Sequence, residues 1–273
     1  MGDTGQVTSS AAEFYDEFFV PAIFGEWAPR VVAAANLRPG MRVVDVACGT
    51  GVLTLAAADA VTPGGEAVGV DLNPGMLAVA RRKAPDIAWH QGAAESLSFG
   101  DGSFDAAVSQ FGVMFFTDRE AALREMWRVL RPRGRLVVTL WGSLEDTPGY
   151  AGMTRLLARL FGDSIADLLR APYSLGDPHT LRALLVDAGI SEPRVDLVSG
   201  MARFSSIRAW VECDVRGWTL AHKLDDAQFE RLVSEAEEEL SRFVAPDGSV
   251  AFPHPALIGS AAKQEPSEPD SRS

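Results

Sequence analysis

Lysine is nearly missing from this chain: Lys83, Lys223 and Lys263 are all it has in 273 residues. Arginine supplies the other bases, and 25 bases against 37 acids leave a formal charge of -12. That balance argues against a broadly basic nucleic-acid surface. Cysteine is as scarce. Cys48 and Cys213 alone exclude a secreted disulfide scaffold, and with four histidines they leave little material for structural zinc. No long apolar run exists either. The longest stretch without Asp, Glu, Lys or Arg is Gly248 to Ala262, which holds Pro253 and Pro255 and falls short of the ~18 residues of a membrane span. The opening MGDTGQVTSS lacks a basic and an apolar region, so it is no secretory signal, and Gln6 spoils the myristoylation pattern. These absences predict a cytoplasmic protein without membrane or nucleic-acid partners.

What is present is an ordinary globular composition, 47% hydrophobic and 23% charged. The first half alternates strand and helix signals. Met41 to Ala47 is β-branched and apolar, the mark of a strand buried on both faces. A helix over Val52 to Ala60 follows, then a strand at Ala67 to Val70. Asn73 and Pro74 open a helix that Pro85 ends. Strands are expected at Ile87 to Trp89, Phe104 to Ser109 and Leu136 to Trp141, with a helix from Asp118 to Leu130 and a turn at Arg131 to Gly134. Such alternation means a parallel sheet with helices on both faces, binding ligands at the carboxyl ends of its strands.

The second half reads as helices at Thr154 to Phe161, Ile165 to Arg170, Pro178 to Ala188, Ile207 to Leu220 and Asp225 to Val244. A strand is expected at Val195 to Val198. Val250 to Ile258 reads as an extended edge segment, because Pro253 and Pro255 disfavour a central strand. The fold expected is α/β, a Rossmann-like, doubly wound, mostly parallel seven-stranded sheet with an inserted helical cover. Residues 1–30 form an N-terminal helical cap, 31–143 the cofactor-binding core, 144–262 the remaining sheet elements with the cover, and 263–273 a disordered tail.

The chemistry concentrates in Val43-Val44-Asp45-Val46-Ala47-Cys48-Gly49-Thr50-Gly51. A strand delivers Asp45, then glycines turn the chain into a helix whose first N–H groups lack intrahelical partners. A GxG after a strand is a weak signal alone. The dinucleotide fingerprint GxGxxG would need a third glycine where Thr54 stands. A carboxylate at Asp45 also suits a cationic ammonium or sulfonium better than a pyrophosphate. Asp71, at the end of Gly69-Val70-Asp71-Leu72, is placed to accept from two ribose hydroxyls.

Together DVACGTG, GVDLNPGML, GAAESLSF, FDAAVSQFGVMFFTD and LREMWRVLRPRGRLVV resemble the class I S-adenosylmethionine-dependent methyltransferases, in their UbiE-like branch. The resemblance covers about Tyr15 to Trp141. It implies S-adenosyl-L-methionine as cofactor and S-adenosyl-L-homocysteine as product. By position, Ala47, Gly49, Thr50 and Gly51 would line the methionine moiety, with Asp45 beside its ammonium group. Asp71 would hold the ribose, Leu72 and Met76 would lie near the adenosine, and Ala94 and Glu95 would lie by the adenine edge. Gln110 and Phe111 would sit near the methyl end, and Tyr15 and Trp27 in an N-terminal segment that closes over the cofactor. Ala93 departs from the family's usual adenine-binding Asp. Ser98 replaces a usual proline and Arg133 a usual glycine. The N-terminal motif and the arginine-asparagine signature of quinone methyltransferases are absent, so the reaction carries over and the quinone does not.

Plainer readings stand beside these. Asp45 could cap a loop, Glu95 could cap a helix, Cys48 is a small packing residue, and the aromatic string from Phe14 to Trp27 could be helix packing. Asp225 to Glu239 reads as a solvated acidic face. Tyr15 and His222 are the candidate catalytic residues, His222 because it falls in the inserted cover. His179 and His254 read as surface residues. No metal site is expected. The reaction expected is in-line methyl transfer to O, N or C of a small, largely apolar acceptor, by a monomer or homodimer. Two other functions compete: a nucleotide-dependent oxidoreductase, and a binder of S-adenosylmethionine that methylates nothing.

Overall fold

The computed structural model describes residues 9–217, 220 and 223–265. His222 and Trp218 lie outside the described residues. The N-terminal segment is helical: α1 (Ser9–Phe14) runs into a π-helical stretch, Tyr15–Phe24, that contains Pro21. After α2 (Ala28–Ala35) come β1 (Arg42–Val46), α3 (Val52–Val61), β2 (Glu66–Asp71), α4 (Pro74–Lys83) and β3 (Ala88–Gln91). Then follow β4 (Phe104–Gln110), α5 (Arg119–Arg128) and β5 (Leu130–Trp141). Asn73 caps α4 by accepting from the N–H groups of Gly75 and Met76, and Asp118 caps α5 through Ala121.

The second half gives α6 (Pro148–Phe161), α7 (Asp163–Arg170), α8 (Pro178–Asp187), β6 (Arg194–Val198), β7 (Met201–Phe204), α9 (Ile207–Gly217), α10 (Asp226–Glu239), β8 (Val250–Pro253) and β9 (Ala256–Ala262). Seven strands form one sheet in the order β3-β2-β1-β4-β5-β9-β6, while β7 and β8 form a separate antiparallel ribbon. β9 runs antiparallel to both neighbours and the other pairs in β3-β2-β1-β4-β5 are parallel. Strand order reverses between β1 and β4, so the crevice at their carboxyl ends is the place where such a sheet binds ligands.

Alternation along β1 places Val43 in one core with Val31, Leu53 and Ala57, and Val44 and Val46 in the other with Leu123, Met126, Leu181 and Leu185. Thus α2 and α3 cover one face, α5 and α8 the other. α2 crosses the expected boundary at residue 30 and belongs to the sheet core.

Three expectations need correction. The segment Val250 to Ile258 is no edge of the main sheet. It splits: Val250–Pro253 is β8 of the two-stranded ribbon, Pro255 falls just before β9, and β9 is flanked by β5 and β6. The edge is β6. The turn expected at Arg131 to Gly134 lies within β5, where a shift of register absorbs it. The tail does not begin at Lys263. Its N–H and C=O exchange hydrogen bonds with Gly134 and Arg133, and its ammonium donates to the carbonyls of Trp127 and Leu130 at 2.7 Å each. A cation there satisfies carbonyls at the end of α5.

The cover arises from two insertions. Residues between β5 and α8 supply α6 and α7. Residues between β6 and β9 supply β7, α9, α10 and β8. The seam is tight: Gly142 N–H donates to Pro255 at 2.9 Å, and a Cβ on Gly176 would meet the Gly142 backbone at 2.4 Å. The acidic face of α10 is more than solvated. Glu235 and Glu239 hold Arg159 of α6, and Glu230 holds Arg208 of α9. Among the described residues no single helix is long and apolar enough to cross a membrane.

Candidate functional site

The loop after β1 is built on positive φ: Ala47 at 59°, Gly49 at 56° and Gly51 at 90°. Glycine is needed for two different reasons. A Cβ on Gly51 would lie 2.6 Å from the Trp89 ring, whereas one on Gly49 would project into open space. The loop after β4 matches it, with Phe111 at φ 57°. Two non-glycine residues in left-handed backbone at one switch point hold strain of order 1–3 kcal/mol each. The loops meet, since a Cβ on Gly112 would stand 2.6 Å from the Ala47 Cβ.

Asp45 is buried at the end of β1. Its Oδ2 accepts from Thr54 Oγ1 at 2.6 Å, and its Oδ1 has no hydrogen-bond partner among the described residues. Burial pushes its pKa up to about 7, against the lowering effect of the Thr54 bond. Thr50 Oγ1 and Gln110 Oε1 at the same end of the sheet are also buried without partners. Unpaired buried acceptors are costly, and here they gather around one loop. Gln110 Nε2 donates to the Phe24 carbonyl at 3.1 Å, tying β4 to the N-terminal segment.

Asp71 accepts from the Gly49 N–H and the Asn73 N–H at 2.8 Å each. Burial raises its pKa while both backbone bonds lower it. The carboxylate therefore braces the glycine loop against the start of α4. Leu72 is exposed, Met76 half-buried, and Gln91 Nε2 donates to the Leu72 carbonyl. Ala94 is buried in the core. Glu95 Oε1 accepts from the N–H of Thr117 at 2.9 Å and of Asp118 at 3.3 Å, which fits its plainer capping role at the entrance to α5.

The N-terminal segment closes this end of the sheet. It packs between α4 on one side and β7 and α9 on the other. Lys83 Nζ reaches Asp16 at 2.6 Å and the Thr50 carbonyl at 3.2 Å, so one cation joins the segment to the glycine loop. Tyr15 is half-buried, and burial followed by the Asp71 and Asp16 charges pushes its hydroxyl pKa up, so it stays a neutral donor. Trp27 is fully buried, edge-on to Phe111 and Trp141, with the Arg30 guanidinium 4.5 Å from its ring centre.

Sequence reasoning missed three residues here. Trp141, at the carboxyl end of β5, stacks on Phe111 at 3.7 Å. Its place at a strand end was the available signal. Thr54 was noted only as a missing glycine. His254, expected at the surface, is buried and stacks on Trp141 at 3.8 Å. His179 is exposed, as expected, and so is His90. Among the described residues no three His, Cys, Asp or Glu side chains gather as a metal site would require.

A family model described as a methyltransferase domain matches residues 44–138. The ubiquinone/menaquinone biosynthesis C-methyltransferase UbiE of Ectopseudomonas mendocina is 37% identical over 180 residues, 60% of this chain and 70% of that protein. The demethylmenaquinone methyltransferase of Thermus thermophilus is 35% identical over 195 residues, 64% of this chain and 86% of that one. Among solved structures, the YcgJ protein of Bacillus subtilis superposes with a TM-score of 0.60 at 20% identity, over 88% of this chain and 99% of that chain. Phosphoethanolamine N-methyltransferase 2 of Haemonchus contortus, in complex with S-adenosylhomocysteine, gives 0.62 at 20%, over 95% of this chain and 58% of that chain. On the shared motifs, the matching sheet order and these relatives, the chain belongs to the class I S-adenosylmethionine-dependent methyltransferases, with its similar curated relatives in the UbiE-like branch.

Proposed function

We propose that this methyltransferase acts on a small, largely apolar acceptor without a metal ion, by in-line transfer to O, N or C. The observation that carries the reading is the pair of carboxylates flanking the Gly49 loop, Asp45 buried and Asp71 half-buried. Asp45 offers an unpaired oxygen, and Asp71 is held facing the same loop by two backbone N–H groups. An ammonium group satisfies the first and a ribose diol the second. The open space over Gly49 gives the ligand room to lie against the backbone. A pyrophosphate would meet Asp45 with like charge.

In this reading Asp45, Ala47, Gly49, Thr50, Gly51 and Gln110 hold the methionine moiety. Asp71, Leu72, Met76 and Ala94 hold the adenosine. Tyr15, Trp27 and Phe111 close the methyl end and exclude water. When bound, S-adenosylmethionine supplies a methyl group already activated by the sulfonium, so the chain's contribution is positioning and desolvation. The UbiE-like relatives are named for quinone biosynthesis, and their N-terminal and arginine-asparagine signatures are missing here, so the acceptor is left as a class. Calorimetric titration with S-adenosylhomocysteine tests the reading, with Asp71→Ala as control. Binding that weakens at least ~10-fold in the variant is expected, since bonds to a charged group are worth about 1.5–3 kcal/mol. Binding of NAD in place of either sulfur ligand would overturn it in favour of an oxidoreductase.

A further inference from the structure

The cover carries a cavity of about 460 Å³, and none of the residues around it belongs to the loops after β1, β2 or β4. Four stretches of chain meet there: the loop after β5, one face of α6, the last residue of α7 and the turn 241–243 after α10. Leu144, Pro148 and Ala151 give it an apolar floor. Helical spacing fixes which side of α6 this is. Tyr150, Met153 and Leu157 turn into the core, and at 3.6 residues per turn Pro148, Ala151 and Arg155 stand on the far side of the same helix. A molecule in the cavity is thus separated from the ring cluster around Tyr150 by the thickness of α6.

Three guanidiniums converge on this floor: Arg155 from α6, Arg170 from the end of α7 and Arg242 from the turn after α10. They are not equally free. Arg170 is held by Asp163 at 3.2 Å and Asp167 at 2.7 Å. Arg155 has no ion pair among the described residues, and Arg242 has none either, its guanidinium lying 4.7 Å from the centre of the Phe243 ring. Arg159, one turn along α6 from Arg155, shows the contrast, since Glu235 and Glu239 both hold it. One carboxylate, Glu145, shares the rim, and the Thr154 hydroxyl is engaged with the Tyr150 carbonyl at 2.9 Å. Unpaired arginines scattered over a surface mean little. Here two of them face one cavity from different elements, on a chain whose formal charge of -12 disfavours anions elsewhere. A guanidinium presents a planar fork of donors that matches an oxyanion. A concave apolar floor of this size takes a carbon skeleton.

We propose that this cavity is a second ligand site, separate from the methyl-donor loop, for a small molecule whose apolar body ends in a phosphate monoester. Arg155 and Arg242 grip the phosphate, whose charge of about −1.5 to −2 at neutral pH suits two unclaimed guanidiniums. Arg170 stays with its aspartates and closes the wall, and the body lies on Leu144, Pro148 and Ala151. Arg155 belongs to the first insertion and Arg242 to the second, so the seated ligand ties the two insertions together.

The test is calorimetry of octyl phosphate, kept below its micelle concentration, against the full chain, beside octanol and inorganic phosphate. Octyl phosphate is expected to bind at least ~10-fold tighter than either half alone. The double variant Arg155→Gln/Arg242→Gln is expected to weaken it at least ~5-fold, as loss of two partly exposed charge-assisted contacts requires. That variant should melt within a few degrees of the parent, because neither guanidinium leaves a carboxylate stranded. Arg182→Gln, which removes an exposed arginine of α8 outside the cavity, should leave the affinity unchanged. Saturating S-adenosylhomocysteine should leave it unchanged as well, so the result does not depend on the methyl-transfer reading. Equal octyl phosphate affinity in the parent and the double variant would overturn the assignment, as would an equal loss in Arg182→Gln or no binding to the parent. Octanol or inorganic phosphate binding as tightly as octyl phosphate would also overturn it. So would displacement by S-adenosylhomocysteine, which would put the molecule in the methyl-donor site.

Discussion

Thr54 donates to Asp45 across the first turn of α3, 2.6 Å from hydroxyl to carboxylate, from the position where a dinucleotide-binding loop would carry its third glycine. The substitution that breaks one fingerprint thereby serves another chemistry. It holds one oxygen of a buried acid and leaves the second without a partner among the described residues.

In its proposed role beside the ligand's ammonium group, Asp45 makes cofactor binding proton-linked. Burial holds its folded pKa at about 7, above the ordinary carboxylate value of 3.8. The folded state therefore binds more protons than the unfolded state between these values, and stability falls as pH rises from about 4 through about 7. An ammonium ligand favours the charged form. S-adenosylmethionine binding at pH 7 is expected to release on the order of half a proton, read as a buffer-dependent heat in calorimetry. Asp45→Asn should abolish that buffer dependence, weaken binding at least ~10-fold, and melt higher than the parent above pH 7. A release that persists in the variant would assign the proton elsewhere.

The two loop glycines should fail differently. Gly51→Ala drives a methyl into Trp89 and into left-handed backbone, at a cost of about 2–4 kcal/mol measurable as a lower denaturation midpoint. Gly49→Ala meets nothing in the protein, so about 1–2 kcal/mol of backbone strain is its whole stability cost. Its main effect should be on S-adenosylhomocysteine affinity, where the methyl stands between ligand and loop. Reversed effects in the two variants would displace the ligand from this loop.

Lys83 couples the N-terminal segment to the loop through Asp16 and the Thr50 carbonyl. Lys83→Gln is expected to speed S-adenosylhomocysteine dissociation roughly 2- to 5-fold in stopped flow, the scale of a partly exposed ion pair. The difference should shrink as salt rises. An unchanged rate at low salt would mean that the segment does not gate the cofactor.

The core was legible because its signals are local. Alternation in Val43 to Val46, the Asn73 cap and the glycines after β1 act within a few residues, and each element they mark is present. The cover was legible only as helices. That Val250 to Ile258 divides between a ribbon and a central strand depends on partners far away in sequence, β7 on one hand and β5 on the other. Proline at 253 and 255 pointed to an edge and instead marks the break between the two strands. The same break turns His254 inward, so no pattern around that residue could distinguish a surface histidine from a buried one. Ala47 and Phe111 carry positive φ without the glycine that would have announced it.

The seam where Gly176 and Gly142 touch, with Gly142 also bonded to Pro255, ties three distant passages of the chain at one point. The first insertion departs and returns there, and the second ends beside it. A displacement of the 143–175 limb is therefore felt at once by the start of β9, and the packing of α6 on α10 and β8 passes it into the second insertion, so the cover moves as one body or not at all.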